Sequence, residues 1–300
     1  MQPYIVYTCF DVIVIPKYFW GLIHNMKLLF LFFNLLLFAG HACCQYYYSD
    51  IILLKETNRQ YQAIKNARIT GITARNFDAD GQSTEGFIIR QEVGANSTEI
   101  TTVTDIPATG ETVSVNYYSD NRLARTVDND SNIINTVTYA YNADGNVLNI
   151  TTDITDTFMN SHSREIHEWF YEGTTPVRML KIKDYTDTTV VEFVKDEQGN
   201  IAEEHWKKKG RSIENYFYYY NDAHLVTDLV RFNTRARKML PDFLFEYDAA
   251  GRVSQFTQIQ QNTGGYLVWH YEYNANALKQ TETCYDKQKQ FVGKIEYKYR

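Results

Sequence analysis

The chain has 300 residues, enough for one or two domains with a sizeable hydrophobic core. A formal net charge of −6 argues against a dedicated nucleic-acid-binding protein, because such proteins usually carry a basic surplus. Charged residues at 22% and aromatic residues at 15% argue against a disordered chain, and four cysteines are too few for a disulfide scaffold at this length.

The first recognisable element is an apolar stretch at residues 28–39, with the sequence LLFLFFNLLLFA. It is too short to span a bilayer, which needs about 20 apolar residues, and it fits the apolar region of a secretory signal peptide. Lys27 supplies the positive charge before it. We therefore predict a signal peptide over residues 26–44 and a bacterial protein exported to the periplasm, the cell surface or the medium. A buried helix or a membrane anchor is the alternative.

The residues on either side of this stretch carry two further predictions. Residues 1–25 show no hydrophobic period, and we interpret them as an over-extended N-terminus, with translation beginning at Met26. The alternative is a signal peptide with an unusually long n-region. Cys43 follows small residues and resembles the acylated cysteine of a bacterial lipoprotein, although Gly40 stands where such motifs usually have Leu. Cys43 is therefore a candidate lipidation site that would anchor the protein to a membrane. The rival is cleavage before Gln45, which would leave a soluble protein.

Residues 45–300 are predicted to form one domain, because no linker rich in Pro, Gly or Ser interrupts them. A short helix is predicted around residues 51–67. After it, one phrase recurs: two aromatic residues separated by one position, Asn or Asp, two small residues, Gly, and an aliphatic residue. Its clearest copies are residues 139–147 and 245–253. The second aromatic position falls at 141, 171, 195, 220, 247, 273 and 299, in steps of 24 to 30 residues, and Lys195 replaces the aromatic residue in one copy.

Each copy of the phrase predicts a β-hairpin. Two aromatic residues spaced by two lie on the same face of a strand, because side chains alternate along it. The Asn or Asp and the Gly are turn residues, and we predict a left-handed backbone at Gly145 and Gly251. The whole reads as an all-β protein, an antiparallel β-meander of repeated hairpins with 16–19 strands, forming an open, curved sheet.

These copies resemble the YD repeats of the bacterial RHS family. Residues 245–253 carry the resemblance best, with Tyr247-Asp248 and Gly251-Arg252 in the positions of that signature. In that family, long arrays of repeats form a spiralling sheet that encloses a toxin or builds an adhesive stalk. The resemblance spans residues 117–299 and implies a short, secreted protein of YD-like repeats without a toxin domain.

Three tryptophans are the candidate ligand-binding residues: Trp169, Trp206 and Trp269. Large amphipathic rings are common on binding surfaces, so these side chains could stack against a sugar or a peptide. The alternative is that they belong to the core of the sheet, together with the tyrosines.

Two kinds of charged residue also draw attention. Glu165 with His167 and Glu203 with His205 are each predicted to share one strand face. Basic clusters occur at residues 207–211 and 231–238 of this acidic chain. Solvated turns explain these two basic clusters, and contact with an anionic polymer or a membrane surface is the alternative.

The sequence contains no phosphate loop, dinucleotide fingerprint, zinc spacing or catalytic serine motif. We therefore predict an exported, non-enzymatic binding or scaffold module without cofactor or metal, whose partner is a protein or a glycan and not a nucleic acid. The alternative from another class is a polysaccharide-acting enzyme that uses a carboxylate pair on the concave sheet face. A third reading is an assembly module that extends its sheet through an open edge at either end. Lys294, Lys298 and Arg300 on the last strand are typical of edge protection, which argues against that reading.

Overall fold

The computed structural model describes residues 45–106, 110–260 and 264–300. The predictions made for residues 1–25, for the signal peptide at 26–44 and for Cys43 lie outside the described residues. The chain divides into two compact units after Lys55, so the single domain predicted for residues 45–300 stays a prediction.

Helical structure stands at the start of the described chain. A π-helical segment at Tyr47–Ile52 continues into α1, Leu53–Asn66. Within the second unit, Tyr61 and Ile64 are three residues apart and both are buried, as expected for the apolar stripe of an amphipathic helix. The helix ends at Asn66, and Arg68 just after it adopts a left-handed φ of 54°, as is common beyond a helix C-terminus.

The remainder of the described chain is β-structure. The strands, which average about nine residues, are rich in β-branched and aromatic side chains, as strand propensity requires. They are β1 Gly71–Phe77, β2 Ile88–Val93, β3 Glu99–Ile106, β4 Gly110–Ser119, β5 Arg122–Asp130, β6 Ile133–Tyr141, β7 Val147–Asp156, β8 Ser161–Glu172, β9 Thr175–Lys183, β10 Asp187–Lys195, β11 Ile201–Lys208, β12 Arg211–Tyr220, β13 Val226–Asn233, β14 Lys238–Tyr247, β15 Val253–Gln260, β16 Gly265–Tyr273, β17 Lys279–Asp286 and β18 Phe291–Tyr299.

These strands form one closed antiparallel barrel. Each strand pairs with its two neighbours in sequence, and the ring closes because β1 pairs with both β2 and β18. At the closure Ile72 lies opposite Tyr299, and Phe77 lies opposite Lys294. The predicted open, curved sheet is therefore wrong, although the all-β antiparallel class is correct. The proposed assembly through a free edge fails for the same reason, because β1 covers the last strand.

Closure also corrects the family resemblance. The RHS likeness implied an open spiral of YD-like repeats, whereas these strands return on themselves after one turn of the ring. The description of this chain as a YD-repeat protein similar to the RHS family is therefore not supported. The local phrase that suggested them describes hairpins, and hairpins of this kind can be assembled into either architecture.

The barrel wall has a buried inner face and a more exposed outer face. Side chains alternate between these faces along each strand. The inner face is predominantly apolar, and the fraction of side-chain surface exposed is at most 2% for its most buried large members, Trp169, Tyr216, Met179, Ile201, Leu229 and Ile295. The core of the protein therefore lies within the ring.

The two ends of the barrel differ, and we name them for what they carry. The helix rim holds the connections that follow even-numbered strands, and the tip rim holds those that follow odd-numbered strands. At the helix rim, the Tyr61 hydroxyl donates to the Ser97 carbonyl at 2.7 Å, and the Leu123 amide donates to Asn58 Oδ1 at 2.8 Å. The second half of α1 thus packs against one end of the barrel.

Five turns of the helix rim share one geometry, in which the side chain of the first residue accepts the amide four residues later. They begin at Asn142, Asp196, Asn221, Asp248 and Asn274. In the turn at residues 248–252, the Asp248 carboxylate accepts the amides of Ala250 at 2.9 Å and Arg252 at 3.0 Å. Gly145 and Gly251 have φ of 83° and 74°, the left-handed backbone expected from the sequence. A β-bulge precedes each turn, at the tyrosine that begins it. The aspartate or asparagine therefore closes the turn by satisfying amides that would otherwise lack acceptors.

Candidate functional site

A groove at the helix rim is the candidate functional site. It has a volume of about 560 Å³ and lies between two neighbouring turns, residues 196–200 and 221–225, over the strands β11 and β12. We call it the turn groove. Its aromatic lining consists of Phe217, Tyr218, Tyr219 and Tyr220, and its polar lining includes Asp196, Asn200, Glu203, Asn221, Asp222 and His224.

The aromatic side of the groove contains one markedly exposed ring. Tyr219 is 54% exposed, whereas Tyr218 on the opposite face of the same strand is 3% exposed. Alternation along β12 explains the difference, because adjacent residues face opposite sides of the sheet. Phe217 lies on the same face as Tyr219 and directly opposite Glu203 of β11. Tyr219 and Phe217 therefore offer flat apolar surface beside a carboxylate.

Both turns that border the groove are held rigidly. Asp196 accepts the amides of Gln198 and Asn200 at 2.9 and 2.8 Å, and Asn221 accepts the amide of Leu225 at 3.0 Å. His224 Nδ1 and Asn200 Oδ1 are 3.0 Å apart and connect one turn to the other. The groove is therefore bounded by a braced pair of turns.

The charge of the groove is negative. Its lining contains three carboxylates, Asp196, Glu203 and Asp222, and neither Lys nor Arg. The hydrogen bond from the Asn200 side chain, with the turn amides, holds the pKa of Asp196 below its usual value. Glu203 Oε2 lies 2.6 Å from His205 Nε2, as expected for two residues on one strand face. An anionic ligand is disfavoured here, and an uncharged or cationic one is favoured.

Beneath the groove lies a buried polar cluster that fixes β11 against β12. Glu204 is 0% exposed and accepts hydrogen bonds from Trp206 Nε1 at 2.7 Å and from the Tyr218 hydroxyl at 2.6 Å. A buried carboxylate is costly unless it is hydrogen-bonded, so these contacts fix all three side chains. The floor of the groove is accordingly well ordered.

The three predicted ligand-binding tryptophans lie elsewhere, on the inner face. Trp169 and Trp269 are each 2% exposed, and Trp206 is 9% exposed. Trp169 stacks on Phe193, with ring centroids 5.1 Å apart. The structure does not bring the three together at the turn groove, and their part in ligand binding stays a prediction.

Sequence reasoning missed Tyr219 and His224. Both belong to the looser copy of the hairpin phrase at residues 218–225, whose tyrosines were interpreted as core residues. Alternation was the available signal, since one residue of three consecutive tyrosines must face away from the other two. Nothing in the sequence indicated that His224 would meet Asn200.

The second Glu–His pair occupies a different place, on the inner face of β8. Glu165 Oε1 lies 3.0 Å from His167 Nε2, and Glu165 Oε2 lies 3.0 Å from Lys181 Nζ. Burial alone would raise the pKa of Glu165, but the hydrogen bond and charge of His167 together with Lys181 hold it below its usual value. The carboxylate is therefore part of a structural ion cluster.

Two absences hold for the described part of the chain. Across residues 45–106, 110–260 and 264–300, no three His, Cys, Asp or Glu side chains are grouped as a metal site would require. Within the same ranges, no helix has the length and apolar character that a bilayer crossing requires.

Comparison with known proteins gives weak likenesses. No family model matches the chain, and no curated protein matches it. Among solved structures, a porin-like protein from Bacteroides uniformis has a TM-score of 0.36 at 9% identity, and the match covers 77% of this chain and 96% of that chain. A Photorhabdus luminescens Tc holotoxin pore has a TM-score of 0.33 at 10% identity, covering 74% of this chain and 13% of that one.

A third likeness is to a protein from Bacteroides fragilis described as a "putative exported protein with YmcC-like fold". Its TM-score is 0.18 at 10% identity, and the match covers 77% of this chain and 96% of that one. All three scores are too low to carry an argument about fold or function. The closed barrel is therefore read from the strand pairing alone.

Proposed function

We propose that this protein is an exported, non-enzymatic binding module that holds an uncharged glycan in the turn groove. The observation that carries the proposal is the exposed Tyr219 ring beside carboxylate and amide groups on a rigid pair of turns. An aromatic face supplies apolar contact area, and the few polar groups around it fix the orientation of a ligand. Export is supported by the apolar stretch at residues 28–39.

Charge supports an uncharged glycan over an anionic polymer. A lining with three carboxylates and no Lys or Arg repels phosphate, sulfate and uronate groups. Asp196 already accepts two backbone amides and the Asn200 side chain, so it serves the turn rather than the ligand. Glu203 Oε1, the Asn221 side-chain amide nitrogen and Asp222 are left to meet sugar hydroxyls, because Asn221 Oδ1 accepts turn amides and Glu203 Oε2 contacts His205.

A glycan array with the full-length protein tests the proposal, followed by calorimetry with the best uncharged oligosaccharide. We expect Tyr219→Ala to weaken binding about tenfold or more, which corresponds to about 1.4 kcal/mol. Phe232→Ala is the matched control, because Phe232 is 49% exposed on another strand, and it should bind normally. Failure of every uncharged glycan to bind, or equal loss in both variants, contradicts the proposal.

The same oligosaccharide decides between binding and catalysis. A binding module returns it intact after prolonged incubation, as measured by mass spectrometry. Cleavage that is abolished in Glu203→Gln would instead support the polysaccharide-acting enzyme and overturn the non-enzymatic assignment.

A further inference from the structure

The tip rim, at the other end of the strands from the turn groove, carries side chains that the proposed function does not use. Five consecutive hairpins present their tips there, from the β5–β6 hairpin to the β13–β14 hairpin. Neighbouring tips are two strands apart, about 9–10 Å at the usual strand spacing. Side chains on these tips therefore form one continuous arc.

The first part of the arc is apolar. Phe158 and Met159 at the β7–β8 tip are 79% and 69% exposed, and Tyr185 at the β9–β10 tip is 67% exposed. Ile133, at the start of β6, adds a further apolar side chain with 45% exposure. We call these residues the apolar tips. Phe158, Met159 and Tyr185 are the most exposed large hydrophobic side chains in the described part of the chain.

The apolar tips are held in place rather than loose. Asp156 Oδ1 accepts the amides of Phe158 at 2.9 Å and Met159 at 2.8 Å, which closes the turn. The Thr157 amide donates to the Asn132 carbonyl at 2.8 Å and ties this tip to the preceding one. These contacts satisfy the backbone amides of the turn and hold the Phe158 and Met159 side chains in solvent. Exposed apolar surface of this kind is typical of an interaction site.

Tyr185 is braced in a similar way. Its hydroxyl accepts a hydrogen bond from Arg164 Nη1 at 2.6 Å, and Arg164 also binds Asp153 through Nε at 2.6 Å. The Asp184 amide donates to the Arg164 carbonyl at 2.8 Å. The aromatic ring is consequently presented at a fixed position beside the β7–β8 tip.

The next two tips are strongly basic. Residues 207–211 contribute four cations and residues 235–238 contribute three, and no Asp or Glu interrupts either stretch. Lys207 and Lys208 pair with Glu192 and Asp187. The other five cations belong to residues that are exposed to solvent. We call residues 209–211 and 235–238 the cationic tips. Their charge stands out because the chain as a whole is acidic.

More apolar surface accompanies the cations. Phe232 and Met239 are paired across the β13–β14 hairpin and are 49% and 42% exposed, and Ile213 on β12 is 51% exposed. Each of these side chains lies within a few residues of a cationic tip. The arc thus combines projecting apolar groups with a local excess of positive charge.

We propose that this arc of the tip rim docks on an anionic lipid surface. Apolar side chains on separate tips enter the headgroup region singly, and neighbouring Lys and Arg side chains meet lipid phosphates. A protein partner is less well matched, because apolar groups about 10 Å apart form no continuous hydrophobic core for an interface. The turn groove would then face away from the membrane.

A site-specific fluorescence experiment tests docking independently of the N-terminal segment. Full-length Phe158→Trp is mixed with vesicles of brominated phosphatidylcholine, with or without phosphatidylglycerol, and quenching is measured after subtraction of the unmodified protein. Leu148→Trp is the matched control, since Leu148 is 36% exposed near the helix rim. We expect quenching of the residue at 158 on anionic vesicles and none at 148.

Neutralising the cationic tips provides the second arm. In the Phe158→Trp background, Arg235→Gln with Arg237→Gln and Lys238→Gln should lower vesicle affinity about tenfold or more, and added salt should do the same. The control neutralises three exposed cations outside the arc, Arg75, Lys195 and Lys298, and should retain affinity.

Three results would overturn docking. They are an unquenched residue at 158, equal quenching at 148 and 158, and equal loss of affinity in both neutralised variants. Binding to soluble heparin without quenching on vesicles would assign the cations to a polyanion instead, and would equally reject the membrane surface. None of these outcomes bears on glycan binding in the turn groove, so the two proposals fail separately.

Discussion

Tyr61 of α1 lies flat on Tyr118 of β4, with ring centroids 3.7 Å apart and an angle of 4° between the ring planes. The stack joins the helix to the barrel wall, and both rings are buried, at 2% and 7% exposure. Burial raises the pKa of both phenols, so both remain neutral over the physiological range. The helix is therefore part of the core at this rim.

Removal of the ring should destabilise the barrel. Tyr61→Ala deletes a buried aromatic side chain, so we expect the free energy of unfolding to fall by about 3–5 kcal/mol. Tyr61→Phe keeps the ring and loses only the hydrogen bond to Ser97, at a cost of about 1 kcal/mol. Lys65→Ala, on the exposed side of the helix, should cost at most about 0.5 kcal/mol. Urea denaturation measures all three, and equal values would mean that the helix is peripheral.

A set of tyrosine hydroxyls at the helix rim should contribute individually to stability. Each donates to a carbonyl near the start of the preceding strand: Tyr141 to Leu123 at 2.6 Å, Tyr220 to Ile201 at 2.7 Å, Tyr247 to Val226 at 2.6 Å, Tyr273 to Val253 at 2.8 Å, and Tyr299 to Lys279 at 2.5 Å. Tyr247→Phe and Tyr273→Phe should each cost about 1 kcal/mol. Tyr219→Phe is the exposed control, and a similar loss there would show that the carbonyl contacts contribute nothing.

Stability should decrease at alkaline pH because these tyrosines are partly buried. Burial raises the pKa of Tyr141 to about 12, and burial with the nearby Glu56 charge raises that of Tyr247 to about 12, above the usual 10.0. The folded state therefore holds its phenolic protons after the unfolded state has lost them. The stabilisation is complete below pH 10 and is lost as pH rises through 12, at about 1.4 kcal/mol per pH unit for each tyrosine.

Two measurements check this pH dependence. Absorbance of tyrosinate should show a late-titrating group of phenols, and urea midpoints should fall between pH 10 and 12. Tyr247→Phe should flatten the pH dependence of the midpoint. A slope unchanged by that substitution would indicate that Tyr247 titrates normally.

Substitutions at two left-handed turn residues, Gly251 and Ala277, should change the stability of the protein in opposite directions. Gly251 has φ +74°, and an added Cβ would meet Leu225 Cδ1 at 3.6 Å, which is ordinary contact. Gly251→Ala should therefore cost about 1–2 kcal/mol through backbone strain alone. Ala277 has a φ of 59° in the corresponding position of its turn, so Ala277→Gly should stabilise by up to about 1 kcal/mol.

Gly94 provides the control for these turns. Its φ lies outside the left-handed region, and an added Cβ would lie 3.5 Å from Glu99, so Gly94→Ala should be tolerated. Thermal unfolding of the three variants decides the matter. If Gly251→Ala were as stable as the unmodified protein, or Ala277→Gly less stable than it, backbone strain at these positions would be contradicted.

Local features of the chain were predictable because they depend on neighbouring residues. The hairpin at residues 245–253 could be derived from Tyr247, Asp248 and Gly251, since side-chain alternation and turn chemistry act within a few positions. The same reasoning placed Glu203 beside His205. It could not place His224 against Asn200, because that contact joins two different turns and depends on how β11 and β12 pack.

The sequence alone determined an antiparallel all-β chain with a short helix before it, because alternation and turn residues act locally. Only the tertiary structure decided that β1 at Gly71–Phe77 pairs with β18 at Phe291–Tyr299. That pairing depends on the number, tilt and stagger of all the strands between them. No single segment of the sequence indicates the tilt and stagger of the whole set of strands. The sequence patterns of an open sheet and of a closed barrel are therefore nearly the same.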